Sequence, residues 1–179
     1  MHSGPADPYG RAAADRPLGS GVLIDEWRVL TCLSVIRDHH TMASPVWVAF
    51  PKSGVARTVR RRVMSVRADE TNDVAVLVLA EPAPGDVRPA PLLAPEGADL
   101  VGERWWAFGF PADAPFGSDA HGAVGASLAY GWIRLDADAP RALGAGFLGA
   151  GIWSPRFEAW SGCSAGCTRC TAPRARRSG

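Results

Sequence analysis

The feature that most constrains the fold is the regular alternation of short apolar segments with turn signals. The segments recur at intervals of roughly ten residues, and clusters of Pro or Gly punctuate them. Several are rich in β-branched residues or alternate apolar with polar side chains. They are GVLI, RVLTC, VWVAF, VRRRVMSV, DVAVLVL, RWWAFGF and GWIRLD. This spacing predicts an all-β barrel or sandwich and disfavours a helical or βαβ architecture.

A Pro-rich segment separates these predicted strands into two groups. Residues 81–97, EPAPGDVRPAPLLAPEG, contain five prolines and are expected to form an extended linker. We therefore predict a first β-barrel lobe with its linker over residues 18–95 and a second β-barrel lobe over residues 96–160. Residues 1–17 are rich in Gly, Pro and Ala and are predicted to be a disordered leader. LSVIRDHH is the only segment that favours a helix, of about two turns.

The overall charge gives no indication of a nucleic-acid or membrane partner. The formal net charge is +1, and no apolar run approaches the length that spans a bilayer. The first residues lack the charged-then-apolar pattern of a secretory signal. We therefore expect a location in the reducing cytoplasm, no nucleic-acid partner and no membrane partner.

Two side-chain clusters in the predicted strands have simple structural interpretations. Arg60–Arg62 place three positive charges in one strand, which predicts a solvated sheet edge protected against aggregation. Four tryptophans are expected to form the core of the second lobe rather than a ligand cage: Trp105, Trp106, Trp132 and Trp153.

Three segments together resemble trypsin-like serine peptidase domains of the bacterial type. They are GSGVLIDEWRVLTCLSVIRD (residues 19–38), NDVAVL (residues 72–77) and GFLG (residues 146–149), and their order and spacing agree with the family. The likeness extends from about Leu18 to Trp160. It implies a two-lobed double β-barrel and the chemistry of a serine endopeptidase.

The same resemblance assigns positions to the catalytic triad, and two of the three residues depart from it. Asp73 matches the triad aspartate, Ser34 stands at the histidine position, and Leu148 stands at the serine position. Gly146 corresponds to an oxyanion-hole position. A serine hydroxyl is not basic enough to take a proton near neutral pH, and an isobutyl group cannot attack a carbonyl. The sequence thus predicts an inactive peptidase homologue.

Other residues could in principle supply the missing groups. His39 and His40 follow Ser34 by about five residues and are expected to point away from any cleft, whereas His121 and His2 carry no motif. Ser118 is a candidate nucleophile by location only. We expect Ser34 to donate a structural hydrogen bond to Asp73, because a buried carboxylate that has lost its histidine needs another partner.

The C-terminal segment, residues 161–179, changes character abruptly to Cys, Ser and Arg. Cys163, Cys167 and Cys170 have the spacing of an iron–sulfur motif, but no barrel follows them, so that match is rejected. Zinc with Cys32 or a histidine as fourth ligand is an alternative. We expect no cofactor and no metal. The segment is predicted to be disordered and to result from a frameshift near Ala159–Trp160, which leaves the second barrel incomplete; the coding DNA would test this.

Three functions remain open from the sequence. The chain is a pseudoprotease that binds a protein or peptide partner, an active serine endopeptidase that uses residues other than those aligned, or a relic without selected function. The sequence gives neither the oligomeric state nor a peptide specificity.

Overall fold

The computed structural model describes residues 17–37, 45–51, 58–95, 97–111, 113–114, 117–128, 132–139 and 143–163. Within these residues eleven strands form two sheets, and helices are short. The all-β prediction is confirmed. No helix in the described ranges is long and apolar enough to cross a membrane.

The first sheet contains the first five strands in the order β1-β2-β5-β4-β3, with every neighbour antiparallel. Alternation explains which face is buried: along β5, Ala75, Leu77 and Leu79 are buried and the residues between them are half-buried. These side chains pack with apolar residues of β1, β2, β3 and the following helix. The strands are β1 (Val22–Asp25), β2 (Arg28–Cys32), β3 (Trp47–Phe50), β4 (Val59–Asp69) and β5 (Val74–Leu79).

The second sheet has six strands in the order β6-β11-β10-β7-β8-β9. All neighbours are antiparallel except β6 and β11, which run parallel. Its core includes Trp105, Ala107 and Ile152. The strands are β6 (Leu92–Leu93), β7 (Arg104–Gly109), β8 (Ser118–Ser127), β9 (Ile133–Ala137), β10 (Gly151–Ser154) and β11 (Ala159–Cys163).

Only one of the four tryptophans predicted to be core is fully buried. Trp105 is 2% exposed, whereas its neighbour Trp106 is half-buried because successive residues of β7 face opposite sides of the sheet. Trp153 is half-buried as well, and Trp132 is 41% exposed. The prediction is therefore wrong for Trp106, Trp132 and Trp153.

Short helical turns connect the strands. The helix predicted in LSVIRDHH is present as α1 (Leu33–Ile36), a single turn, and residues 38–40 lie outside the described residues. A second helix, α2 (Gly97–Leu100), was not predicted. A 3-10 turn spans Ala145–Phe147 just before Leu148.

The arginine cluster lies just before the point where β4 changes its strand partner. The first part of β4 pairs with β3, with Arg62 opposite Trp47 and Arg60 opposite Ala49. From Val63 onward the same strand pairs with β5. Among the described strands, Arg60–Arg62 therefore pair on one side only, with β3, and Arg60 and Arg62 are exposed. The predicted solvated edge is present on the side of β4 away from β3, while β3 is the outermost strand on the other side.

The linker and the C-terminal segment meet in the second sheet. Leu92 and Leu93, inside the predicted linker, pair with Trp160 and Ser161 of β11. β11 ends at Cys163, three residues past the boundary predicted at Trp160. Residues 164–179 lie outside the described residues, so a disordered, out-of-frame tail beyond Cys163 stays a prediction.

Candidate functional site

Ser34 and Asp73 are joined by two hydrogen bonds across the first sheet. The amide of Ser34 donates to Oδ1 of Asp73 at 2.8 Å, and its hydroxyl donates to Oδ2 at 2.9 Å. The amide of Leu33 also donates to the backbone oxygen of Asp73 at 3.0 Å. The predicted hydrogen bond is therefore present, and a backbone and a side-chain donor share the carboxylate. The expectation that the carboxylate is buried is wrong, because the side chain of Asp73 is 22% exposed.

The backbone of Asp73 explains how the carboxylate reaches α1. Asp73 has φ 51°, a left-handed conformation that Asp tolerates better than most residues, and it directly precedes β5. Ser34 lies in the first turn of α1, where backbone amides lack partners within the helix. The turn before β5 thus directs the carboxylate of Asp73 towards the backbone amide and the hydroxyl of Ser34. Arg37 Nη2 lies 3.7 Å from Oδ1 and adds a solvated positive charge.

Leu148 lies in a loop that is held by its backbone. Its carbonyl oxygen accepts a hydrogen bond of 2.8 Å from the amide of Ser20, and the carbonyl of Gly146 accepts one of 2.9 Å from the amide of Phe110. The hydroxyl of Ser20 donates to the same Gly146 oxygen at 3.4 Å. Neither of these two carbonyl contacts requires a particular side chain at position 148.

The segment before β1 brings the two predicted catalytic positions together. A Cβ placed on Gly19 would lie 2.8 Å from the carbonyl oxygen of Leu148 and 2.8 Å from Cγ2 of Val35, the residue after Ser34. Gly149, at φ 76°, is packed as closely, since a Cβ there would overlap the carbonyl oxygen of Ser20 and Oγ1 of Thr31. The loop of Leu148 and the N-terminal end of α1 therefore converge on the backbone of one short segment.

Ser20 and Gly149 were not singled out from the sequence, although both belong to quoted motifs. The glycines at the ends of GSG and GFLG were the sequence signal for this contact, because two backbone segments can approach this closely only where no Cβ stands between them. Thr31 completes the arrangement, because its buried hydroxyl donates to the carbonyl of Ser20 at 2.7 Å.

The described histidine and the alternative serine lie in the second sheet, on β8. His121 is near two carboxylates, with Nδ1 3.5 Å from Asp119 and Nε2 3.6 Å from Asp138. Ser118 donates to the backbone oxygen of Asp119 at 3.4 Å. Neither residue contacts Ser34 or Leu148 in the described structure. His2, His39 and His40 lie outside the described residues.

The carboxylate beside His121 has a guanidinium as its main partner. Arg104 binds both oxygens of Asp138, at 3.2 and 2.6 Å. The hydrogen bonds from Arg104 hold the pKa of Asp138 below its usual value, and they raise the pKa of Arg104. Asp138 therefore forms a surface ion pair with Arg104.

The described residues contain no group of three or more His, Cys, Asp or Glu side chains suited to a metal ion. Cys32 is buried at the end of β2, and Cys163 ends β11. Cys167 and Cys170 lie outside the described residues, so the expected absence of a metal stays a prediction.

Three solved structures share this fold at low sequence identity. The crystal structure of Deg5 is 21% identical, with a TM-score of 0.63, and the match covers 83% of this chain and 73% of Deg5. The MamO protease domain from Magnetospirillum magneticum, in its apo form, is 18% identical, with a TM-score of 0.56, and the match covers 82% and 75% of the two chains.

The serine endoprotease from Yersinia pestis is 20% identical, with a TM-score of 0.57. The match covers 80% of this chain and only 47% of that longer chain. No curated protein matches the sequence. The sequence profile described as trypsin-like peptidase domain matches residues 19–156. This range includes the first sheet, the second sheet except β11, and all three positions Ser34, Asp73 and Leu148. The chain belongs to the trypsin-like peptidase domain family.

Proposed function

We propose that this chain is a catalytically inactive trypsin-like peptidase domain. The observation that carries the proposal is the pair of hydrogen bonds from Ser34 to Asp73. At the position that the family resemblance assigns to the histidine, the carboxylate binds a backbone amide and a hydroxyl. Asp73 then acts as an anchor for α1 and orients no base.

The chemistry of the triad explains why these substitutions abolish turnover. The nucleophile must lose a proton as it attacks, an imidazole must accept that proton, and the aspartate fixes the imidazole tautomer. Ser34 cannot accept the proton near neutral pH, and Leu148 has no nucleophilic atom. Because triad members act as a unit, what remains is at most the rate of about 10³–10⁴ over water that binding and an oxyanion hole supply.

Labelling with a fluorophosphonate probe, followed by intact-mass measurement, tests the proposal directly. We expect an unmodified mass, with trypsin labelled in the same buffer as the positive control. A single adduct would contradict the proposal, because it would mean that a serine of this chain is activated. That outcome would favour the alternative of an active endopeptidase that uses residues other than Ser34 and Leu148.

Restoring the two missing groups tests the assignment of positions. We expect Ser34→His alone and Leu148→Ser alone to stay unlabelled, because each lacks the partner that the other supplies. The double variant should react with the probe, at a rate above both single variants. A matched double variant, Ser34→His with Leu148→Ala, controls for the histidine without a nucleophile. Equal labelling of the two double variants would refute the assignment of Leu148 to the nucleophile position.

Unfolding behaviour separates a maintained domain from a relic. Both sheets have buried apolar cores, which favours a cooperative transition in urea. We expect one sigmoidal transition observed identically by tryptophan fluorescence and circular dichroism. A gradual, non-coincident loss of the two signals would favour the relic.

A further inference from the structure

Residues Gly19–Gly21 form a strap that is packed closely on both sides. A Cβ on Gly19 would lie 2.8 Å from the carbonyl oxygen of Leu148, and a Cβ on Gly21 would lie 2.7 Å from Cγ1 of Val29 in β2. Real Cβ atoms essentially never approach other heavy atoms this closely, so a side chain at either glycine would push its neighbours apart. The strap therefore fits tightly between the Leu148 loop (residues 146–149) and the first sheet.

Ser20, the middle residue of the strap, connects the two lobes through hydrogen bonds on both sides. Its amide donates to the carbonyl oxygen of Leu148 at 2.8 Å, and its hydroxyl lies 3.4 Å from the carbonyl oxygen of Gly146. Its own carbonyl oxygen accepts a bond of 2.7 Å from the hydroxyl of Thr31. One residue thus joins a side chain of β2 to the backbone of the Leu148 loop.

Thr31 is a polar residue in the core of the first sheet. Its side chain is on the same face of β2 as buried Val29, it pairs with buried Ala75, and it is 2% exposed. A buried hydroxyl destabilises the fold unless it makes a hydrogen bond, and the carbonyl oxygen of Ser20 accepts that bond. Valine has nearly the same shape as threonine but cannot donate. The hydroxyl is therefore the part of Thr31 that fixes the strap.

The hydroxyl of Thr31 also contacts the far end of the Leu148 loop. A Cβ on Gly149 would overlap both Oγ1 of Thr31 and the carbonyl oxygen of Ser20. At the near end of the loop, the carbonyl oxygen of Gly146 accepts a hydrogen bond of 2.9 Å from the amide of Phe110, just after β7. A change at Thr31 can thus reach the second lobe through the strap and the loop.

We propose that the strap is a latch through which the hydroxyl of Thr31 positions the Leu148 loop. With the bond from Thr31 to Ser20 made, the loop is held against the end of β7. When that bond is lost, strap and loop open together while both sheets stay folded. Thr31 is a positioning residue, because it acts on the loop through Ser20. The inference rests on the proposed function only in assigning this loop to the nucleophile position.

Native-state amide hydrogen exchange, followed by NMR, tests the latch without any catalytic readout. Thr31→Val removes the hydroxyl at nearly constant shape, and Thr31→Ser retains it. The amides of Ser20 and Phe110 report on the strap and on the loop. In Thr31→Val we expect both to exchange at least about tenfold faster relative to the amides of the β4–β5 and β8–β9 ladders. Thr31→Ser should be close to the wild type.

Leu77→Val is the matched control for a general loss of stability. It removes one methylene from the same core and leaves the hydroxyl of Thr31 in place. We expect it to leave the exchange of Ser20 and Phe110 unchanged relative to the two ladders. If Thr31→Val accelerates all amides by one common factor, Thr31 is an ordinary core residue and the proposal is overturned. Acceleration at Ser20 with Phe110 unchanged would overturn it as well, since the strap would then not hold the loop.

Gly19→Ala reaches the latch from the other side, and it keeps the test available if Thr31→Val does not fold. The new Cβ collides with the carbonyl oxygen of Leu148 and should break the bond from the Ser20 amide. We expect the same local acceleration at Phe110. Gly85→Ala is the matched control, because no atom lies within 4 Å of its added Cβ. Equal exchange at Phe110 in these two variants would contradict the latch.

Labelling of the restored double variant connects the latch to the nucleophile position. In the Ser34→His/Leu148→Ser background, Thr31→Val should slow fluorophosphonate labelling at least about fivefold, and Thr31→Ser should keep the rate of the parent. A parent that does not react would refute the assignment of Leu148, while the exchange experiment would still decide on the latch. A reactive parent whose rate is unchanged by Thr31→Val would show that the latch does not position the nucleophile, which overturns the proposal.

Discussion

The corner at Asp73 and the loop at Leu148 are both positions where the family resemblance expects catalytic groups, and they are held in opposite ways. The corner at Asp73 is held by a side chain, because the carboxylate of Asp73 accepts hydrogen bonds from the amide and the hydroxyl of Ser34. The loop at Leu148 is held by its backbone, because its carbonyl groups accept hydrogen bonds from the amides of Ser20 and Phe110. Gly149, which has no Cβ, also lets the backbone of Ser20 pack closely against the loop.

This difference accounts for which residues can change without loss of the fold. A side chain that accepts hydrogen bonds needed for the fold must be retained, or replaced by one that accepts hydrogen bonds from the same donors. A side chain on a loop fixed by its backbone can change its chemistry freely. Asp73 is of the first kind and Leu148 of the second, so a change of side chain at position 148 should cost the fold little. Three predictions test this comparison.

The largest effect is expected at the backbone of the loop. Gly149→Ala should lower the free energy of unfolding by about 3 kcal/mol, because the new Cβ overlaps Ser20 and Thr31 and the residue is left-handed. Gly102→Ala is the matched control: its φ is 82°, but no atom lies within 4 Å of the added Cβ. It should cost about 1 kcal/mol from backbone strain alone. Urea denaturation measures both, and equal losses would mean that the close packing at Gly149 contributes nothing.

The next effect is expected at the side chain of Asp73. Asp73→Ala should lower the free energy of unfolding by about 2 kcal/mol, because it removes the acceptor for two Ser34 donors and puts Ala in a left-handed conformation. Asp73→Asn keeps one acceptor oxygen and tolerates the backbone, so it should lose less than half as much. If Asp73→Ala unfolds at the same urea concentration as the wild type, the corner has no structural role.

The smallest effect is expected for the hydroxyl alone. Ser34→Ala removes one solvated hydrogen bond and should cost about 0.5 kcal/mol, while Ser34→Thr retains the donor and should be close to neutral. Guanidinium denaturation of the three proteins in parallel gives the comparison. If Ser34→Ala lowers the free energy of unfolding more than Asp73→Ala does, the hydroxyl of Ser34, and not the carboxylate of Asp73, is the group that anchors this corner.

Much of the fold could be predicted from local patterns. The β-branched residues of VAVLVL and the turn residues between segments indicated strands, and the three motifs in sequence order indicated the trypsin-like architecture. The hydrogen bond from Ser34 to Asp73 followed from the need of a carboxylate for a donor. These inferences need only the residue pattern of one segment, or a pair of positions that the family resemblance places side by side.

Features that depend on pairing between distant strands were not predicted. Leu92 and Leu93 form a strand only because β11 lies beside them, and Ser161–Cys163 have no apolar alternation of their own. The charge run of β4 indicated a solvated edge, but it does not reveal that the strand changes partner from β3 to β5. Trp105 and Trp106 differ in burial because they face opposite sides of β7, which the tryptophan content alone does not specify.

The contact between Ser20 and the Leu148 loop also sets an order of events during synthesis. Ser20 and Gly146 are 126 residues apart in the chain, so the contacts of Ser20 with the Leu148 loop cannot form until most of the protein has emerged. The hydrogen bond from Thr31 to Ser20 can form much earlier. The strands of the first sheet all precede residue 80 and can pair earlier. We therefore expect the N-terminal segment to complete its contacts with the second lobe late, and to be more open to proteases in ribosome-bound chains that end before Gly146.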